Sequence, residues 1–227
     1  EVSLFAKKCF EQDKIKILTS TTMKNIKSTK SGVEAEFIDK NGEKHKIKYS
    51  RAIVAIGIDP NIENIGLDTV NIKQDEGMIL TDNNNETSEK GIFAIGDLTG
   101  APWLAHKASH EGINAVDYIS NPNRSNKHNK IIPGCTYSRP QIASIGLTEE
   151  KAIAKGIKIK KGKFPLLGNG KAISLGYSDG FTKTIFNAET GELIGAHMIG
   201  PEVTELISTY CVAMQLEATE LDLFNTI

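Results

Sequence analysis

The sequence predicts a protein of mixed α/β and α+β class, and three features of its 227 residues lead to that prediction. An alternating β-meander comes first, short apolar runs follow it, and the last part of the chain alternates strands with capped helices. A chain of this length could form one large domain or two small ones.

The first fifty residues predict a helix and then a meander. Residues 1–12 have the spacing of an amphipathic helix, and KIKILTS (14–20) alternates as a strand does. VEAEFI (33–38) and HKIKY (45–49) predict two more strands. The Asn41-Gly42 pair between them is typical of a hairpin turn, because both residues tolerate a positive φ.

The middle of the chain contains short apolar runs and one long helix. RAIVAIG (51–57) and GIFAIGD (91–97) predict strands, the first of them covered on both faces as in an α/β sheet. GMILTD (77–82) predicts another short strand, and small residues on one side of 103–119 predict a closely packed helix. The polar segment SNPNRSNKHNK (120–130) is the best candidate for a linker.

The remainder predicts an α+β domain of about 95 residues, within the normal range for a domain. Thr148 is expected to cap a helix that ends at Gly156, and a hairpin is expected to turn at 189–191. An amphipathic helix follows at 202–216, and Thr219 is the expected N-cap of the next one.

Composition excludes several classes of protein. The chain is 39% hydrophobic and 24% charged, which is ordinary for a globular protein, and its net charge of −1 gives no reason to expect nucleic acid as a partner. No apolar run approaches the roughly 20 residues that span a bilayer, so no membrane partner is expected. Cys9, Cys135 and Cys211 lie far apart, which predicts thiols in a reducing compartment such as the cytoplasm.

Gly96-Asp97 is the first candidate site. Asp97 ends an apolar run, and a helix begins six residues later. A carboxylate at a strand end can accept hydrogen bonds from a sugar or polyol hydroxyl, while the free N–H groups of the helix start meet a ligand oxygen. The alternative is a surface turn with a helix nearby. Gly57 presents a similar choice between close approach of a dinucleotide and a turn glycine, and its chemistry alone favours the turn.

Three further patterns are more readily explained by structure than by function. His106 and His110 share a helix face but lack a third metal ligand, and Glu111 could instead pair with Lys107 across one turn. His197 alternates with apolar neighbours, as a packed strand residue does. A basic run is expected to be a solvated face, with a docking surface for an acidic partner as the alternative; it comprises Lys158, Lys160, Lys161 and Lys163.

Five blocks in order carry a family resemblance. They are AIVAIGIDPNIENIGL (52–67), GIFAIGDLTGAPWLAHKASHEG (91–112), RPQIASIGLTEEKA (139–152), GKFPLLGNGKAISLG (162–176) and ETGELIGAHMIGPEVTELI (189–207). Together they resemble the dihydrolipoamide dehydrogenases, which belong to the FAD-dependent pyridine nucleotide-disulfide oxidoreductases. The resemblance covers nearly the whole chain and is weakest before Arg51.

The resemblance implies three parts of a larger fold. Residues 1–57 would be the C-terminal part of an NAD-binding domain, with the β-meander as a remnant of a Rossmann-like domain. Residues 58–128 would be the second segment of an FAD-binding domain. Residues 129–227 would be an α+β dimerisation domain without its C-terminal end. Because Glu1 begins in what looks like mid-helix, the chain is expected to be a piece of a longer protein.

The resemblance also implies site residues. Asp97 would accept hydrogen bonds from the FAD ribityl chain, with Gly96 clearing the way, and Gly57 would lie near NAD. The helix start that meets the flavin ring through its backbone comprises Trp103, Leu104, Ala105 and His106. Ile58 departs from the pattern, because the family often has Arg there, and this puts one local polar contact in doubt.

The implied activity is reoxidation of dihydrolipoamide by NAD⁺, with FAD as the flavin. The implied partners are a second copy of the chain and the lipoyl-bearing acyltransferase component of a 2-oxo acid dehydrogenase complex. The family's redox disulfide and active-site His–Glu pair have no counterpart in these 227 residues, so no catalytic residue is assigned and the chain alone is expected to be inactive. The alternatives are another FAD-dependent disulfide reductase, of mercuric reductase or transhydrogenase type, and a stand-alone interaction module.

Overall fold

The computed structural model describes residues 1–123 and 131–227, which form two compact units, 3–58 and 59–227. Most of the predicted linker 120–130 and the expected domain boundary at 128/129 lie outside the described residues. In the described part of the chain, none of the helices has both the length and the apolar character needed to cross a bilayer.

The first unit contains helix α1 and a three-stranded antiparallel sheet of order β1-β2-β3. These elements are α1 Val2–Gln12, β1 Thr22–Thr29, β2 Gly32–Ile38 and β3 Lys44–Tyr49. The predicted helix, hairpin and two of its strands are confirmed, but the strand predicted at 14–20 is wrong. Strand β1 lies a few residues further along, where it pairs with β2 over its whole length, whereas 14–20 has no ladder partner among the described residues.

The sheet of the first unit has one charged face and one apolar face. Glu34 in the central strand lies between Lys27 and Lys48, and Lys46 Nζ lies 2.6 Å from a Glu34 carboxylate oxygen and 3.0 Å from one of Glu36. Residues of opposite parity, such as those in the row Ile26–Ala35–Ile47, form the apolar face. The strict alternation of the sequence is therefore realised as two chemically distinct surfaces.

The buried strand predicted at RAIVAIG (51–57) is wrong. The segment carries no ladder hydrogen bonds, and the side chains of Ile53 and Ile56 are 92% and 93% exposed. An apolar run becomes a strand only where neighbouring strands pair with it, and no described segment does so. The predicted strand at 91–97 is reduced for the same reason to a single bridge between Phe93 and Glu86.

The second unit begins with small elements around one long helix. They are β4 Gln74–Asp75, β5 Met78–Ile79 and α2 Ala105–Ser120, with 3₁₀ turns at Leu67–Thr69 and Gly96–Thr99. The predicted strand at 77–82 and helix at 103–119 correspond to β5 and α2. The Gly96–Thr99 turn packs against α2, which brings the end of the 91–97 run to the helix.

The rest of the second unit is a five-stranded antiparallel sheet of order β6-β7-β10-β9-β8. Its strands are β6 Gly134–Thr136, β7 Gln141–Gly146, β8 Ile159–Pro165, β9 Phe181–Asn187 and β10 Leu193–Gly200. Its helices are α3 Glu149–Ala154, α4 Gly170–Ser174, α5 Val203–Gln215 and α6 Glu220–Asn225, with a 3₁₀ turn at Leu166–Gly168. The α+β class predicted for this part of the chain is confirmed.

Helix α5 packs on the sheet and closes the core of this part. Ile145 of β7 and Met198 of β10 meet Val203 and Ile207 of the helix. The local end signals are confirmed: the Thr148 side chain accepts a hydrogen bond from the Lys151 N–H, and Thr219 forms a capping box with Asp222.

Candidate functional site

Asp97 lies in the 3₁₀ turn at the end of the 91–97 run, and its side chain is exposed. Gly96 precedes it with φ +83°, a left-handed conformation that favours glycine. Of the hydrogen bonds and ion pairs among the described residues, none involves the Asp97 carboxylate. The turn therefore presents a carboxylate that remains available to a ligand.

Helix α2 begins close along the chain and has an open N-terminus. Its N-cap is Leu104, whose side chain cannot cap, and its first turn contains no acidic residue. The first-turn N–H groups of Ala105, His106 and Lys107 consequently receive no side-chain cap and carry the positive end of the helix dipole. Trp103, 41% exposed, stands just before the helix.

A half-buried polar network attaches the Gly96–Thr99 turn to helix α2. The ammonium group of Lys107 lies 2.9 Å from Glu111 Oε1 and donates to Gly96 O at 3.1 Å and to Thr99 Oγ1 at 2.9 Å. Glu111 Oε2 accepts the Gly96 N–H at 2.7 Å. The Lys107–Glu111 pair expected from sequence spacing is present, but its further bonds to the turn were not predicted.

A second contact fixes the middle of α2. Asn114 Nδ2 donates to Asn83 O and to Asn85 Oδ1, both at 2.8 Å, and the side chains of Asn114 and Asn85 are buried. Sequence reasoning missed this contact, although an Asn on the packed side of a helix is a usable signal, because a buried amide needs partners. The helix start therefore belongs to a well-anchored element.

An apolar groove of about 460 Å³ adjoins the turn. Ile95 and Leu98, on either side of Gly96-Asp97, both line it. Its other apolar walls include Ile65, Leu67, Ile79 and Phe93. Asp97 thus stands at the edge of an open apolar surface.

The structure places the predicted site residues in two groups. Gly96, Asp97 and the segment 103–106 lie in the turn and helix start of the second unit, whereas Gly57 belongs to the first unit. Gly57 has φ +138°, and a Cβ there would meet nothing within 4 Å. This positive φ favours glycine at the position, whichever of the two interpretations holds. Its proximity to a dinucleotide remains a prediction.

His106 and His197 have structural partners. His106 Nε2 lies 2.9 Å from Pro133 O, which attaches the start of α2 to the segment that leads into β6. His197 is buried in β10, with Nε2 2.9 Å from Leu147 O, and burial lowers its pKa. Elsewhere, one oxygen each of Asp39 and Glu43 and a ring nitrogen of His45 converge, but the second Asp39 oxygen is already held by backbone N–H groups of the same hairpin.

The basic run at 158–163, which lies in and just before β8, is largely neutralised within the fold. Lys158, Lys160 and Lys161 pair with Glu189, Glu220 and Glu149 in turn, and Lys163 Nζ lies 4.1 Å from the centre of the Phe181 ring. Hydrogen bonds from Lys161 and Lys183 lower the pKa of Glu149 to about 2. These contacts favour the solvated, structural interpretation over a docking surface for an acidic partner.

Comparison with known proteins covers nearly the whole chain. A family model described as pyridine nucleotide-disulphide oxidoreductase matches residues 1–112, and the dimerisation-domain model of the same family matches 132–227. Similar curated proteins include two dihydrolipoyl dehydrogenases. The one from Zymomonas mobilis is 49% identical, and the match covers 100% of this chain and 49% of the relative. The one from Rhizobium etli is 44% identical, and the match covers 100% of this chain and 47% of the relative. The chain spans about half the length of these relatives.

Solved structures share the fold. LpdA from Mycobacterium tuberculosis superposes with a TM-score of 0.86 at 26% identity, and the match covers 99% of this chain and 48% of the LpdA chain. The HOCl-induced flavoprotein disulfide reductase RclA from Escherichia coli superposes with a TM-score of 0.85 at 19% identity. The match covers 98% of this chain and 51% of the RclA chain, and it concerns the fold alone. The resemblance drawn from the five sequence blocks is confirmed, and the chain belongs to the pyridine nucleotide-disulphide oxidoreductase family.

Proposed function

We propose that the protein to which these 227 residues belong is a dihydrolipoyl dehydrogenase, which oxidises dihydrolipoamide with NAD⁺ by way of FAD. The observation that carries the proposal is the exposed Asp97 carboxylate beside the uncapped start of α2. The identity to dihydrolipoyl dehydrogenases over the whole chain supports it.

The residues present fit FAD on two counts. A ligand polyol offers hydroxyl donors, and the Asp97 carboxylate is an acceptor that no described residue uses. A flavin ring offers carbonyl and ring-nitrogen acceptors, and the N–H groups of Ala105, His106 and Lys107 are donors without a side-chain cap. Gly96 leaves the approach to Asp97 free of a side chain, and Trp103 and Leu104 lead into the helix.

In this proposal the chain binds and orients the cofactor. The bound flavin supplies two-electron transfer between a dithiol and nicotinamide. Asp97 would fix the polyol by accepting hydrogen bonds from its hydroxyls, and the start of α2 would hold the ring with its free N–H groups and the positive end of the helix dipole. No residue of this chain is assigned a proton-transfer role.

The same proposal assigns the remaining parts of the chain. Residues 1–57 belong to an NAD-binding domain with Gly57 near the dinucleotide, 58–128 to the FAD-binding domain, and 129–227 to the interface domain. The match of 132–227 to a dimerisation domain supports a homodimer. A lipoyl-bearing acyltransferase is the proposed further partner. The half-buried thiols of Cys9, Cys135 and Cys211 support a reducing, cytoplasmic setting.

The test is to express the complete open reading frame that contains this chain and to assay NAD⁺ reduction with dihydrolipoamide. Dihydrolipoamide-dependent NADH formation by a yellow, FAD-containing protein is the expected result. Mercuric ion reduction, or hydride transfer between NADPH and NAD⁺, without lipoamide activity would assign a different disulfide reductase. A reading frame that begins at residue 1 and yields a flavin-free protein would favour a stand-alone interaction module.

A further inference from the structure

Lys107 and Glu111 form a charged clamp on the turn that carries Asp97, and the proposed function gives neither side chain a role. We propose that both are positioning residues for FAD, which fix the Gly96-Asp97 peptide so that the Asp97 carboxylate is held toward the cofactor polyol. This inference rests on the proposed function, since it requires Asp97 to contact FAD.

The clamp satisfies every polar group that it contains. An ammonium group has three N–H donors, and Lys107 finds three acceptors, on Gly96, Thr99 and Glu111, within 3.1 Å. Glu111 uses one oxygen for Lys107 and the other for the Gly96 N–H, at 2.7 Å. Both backbone polar groups of Gly96 are therefore held by side chains of α2.

These bonds determine where Asp97 points. The carbonyl of Gly96 and the N–H of Asp97 belong to one planar peptide, so a fixed carbonyl fixes the plane from which the Asp97 Cα extends. Gly96 would otherwise sample many conformations, because glycine has the widest choice of φ and ψ. Its observed φ of +83° is the conformation that the clamp selects.

The charges of the clamp also suit a positioning role. Lys107 is only 8% exposed, and its charge is cancelled by Glu111, so Asp97 remains the unpaired charge of the turn. A buried ion pair contributes little net stability compared with apolar side chains of similar size. Directed hydrogen bonds from two charged groups, in contrast, specify an orientation, and apolar packing does not.

The test is a double-mutant cycle on FAD affinity in the apoprotein of the complete reading frame, measured by quenching of flavin fluorescence. Lys107→Met removes all three donors and is expected to weaken FAD binding about tenfold, the effect of roughly 1.4 kcal/mol. In an Asp97→Ala background the same change is expected to have less than about a twofold effect, because the clamp then has no carboxylate to orient. The matched control is Lys7→Met in the exposed i,i+4 pair Lys7–Glu11 of α1, which should leave affinity unchanged.

The outcomes separate the two proposals. If Asp97→Ala leaves FAD affinity unchanged, the contact assumed by the proposed function is wrong. If Asp97→Ala weakens binding but Lys107→Met has the same effect in both backgrounds, or none in either, the positioning role is overturned and the function stands.

A milder variant keeps the test usable if Lys107→Met does not fold. Thr99→Val deletes one hydroxyl of the clamp at nearly constant volume and is expected to weaken FAD binding about threefold by loss of a hydrogen bond. Hydrogen exchange gives a readout without flavin: Glu111→Ala should speed exchange of the Gly96 N–H in the 227-residue chain at least about tenfold, since its acceptor is removed. An unchanged exchange rate would contradict the clamp.

Discussion

Replacing Ile145 by Ala should strongly destabilise the five-stranded sheet of the second unit. Ile145 of β7 is 2% exposed and shares a core cluster with Met198 of β10 and the α5 residues Val203 and Ile207. The change deletes three carbon groups, which at about 0.8 kcal/mol each amounts to roughly 2.4 kcal/mol. A residual cavity of about 50 Å³ adds roughly 1.2 kcal/mol, so the expected loss is about 3.5 kcal/mol.

Hydrogen exchange followed by mass spectrometry measures this loss within the sheet itself. Amides of β10 that exchange through unfolding of the sheet should exchange about 300-fold faster, because each 1.4 kcal/mol corresponds to a factor of ten. Ile153→Ala, at a 58% exposed position of α3, is the matched control and should change exchange less than about threefold. An Ile145→Ala effect below tenfold would refute the packing argument, since the surroundings would then have closed the cavity.

Three further predictions concern the same part of the chain. Burial lowers the pKa of His197, so the unfolded state binds a proton there at higher pH than the folded state does. The free energy of unfolding should therefore fall as pH drops below about 6.5. Urea titrations at several pH values should show that His197→Gln flattens this dependence. Thr219→Ala removes the hydroxyl that accepts the Asp222 N–H and donates to the Asp222 carboxylate, and this should cost about 1 kcal/mol by urea denaturation, whereas Thr226→Ala, beyond the end of α6, should cost less. Leu206 and Val212 of α5 and Leu216, just after its end, are exposed, and the chain should therefore dimerise through 129–227. Light scattering that finds only monomer at micromolar concentration would contradict this.

Local chemistry made much of the second unit predictable. The caps at Thr148 and Thr219 depend on a hydroxyl a few residues from the N–H that it receives, so spacing alone identified them. The hairpin at 189–191 follows from alternation on both sides of a turn glycine. The 51–57 run shows the limit of this reasoning, because pairing depends on strands elsewhere and not on the apolar character of the run.

The candidate site was predictable in part for the same reason. Asp97 and the start of α2 lie close in sequence. A carboxylate at the end of an apolar run, a few residues before a helix start, indicated a ligand site. The Lys107–Glu111 pair follows from i,i+4 spacing, but its hydrogen bonds to Gly96 join residues up to fifteen positions apart. No periodicity reports a contact of that kind, and Asn114, which lies 29 residues from Asn85, was missed for the same reason.

The charged and apolar faces of the three-stranded meander also protect it against mispairing. If β3 slipped by one residue against β2, Lys46 and Lys48 would turn into the apolar layer and Ile47 would turn out among the glutamates. Each strand of the meander thus carries two independent signals for the same alignment, one electrostatic and one hydrophobic. A hairpin encoded in this way is a poor template for pairing with foreign strands, even though β1 and β3 are edge strands.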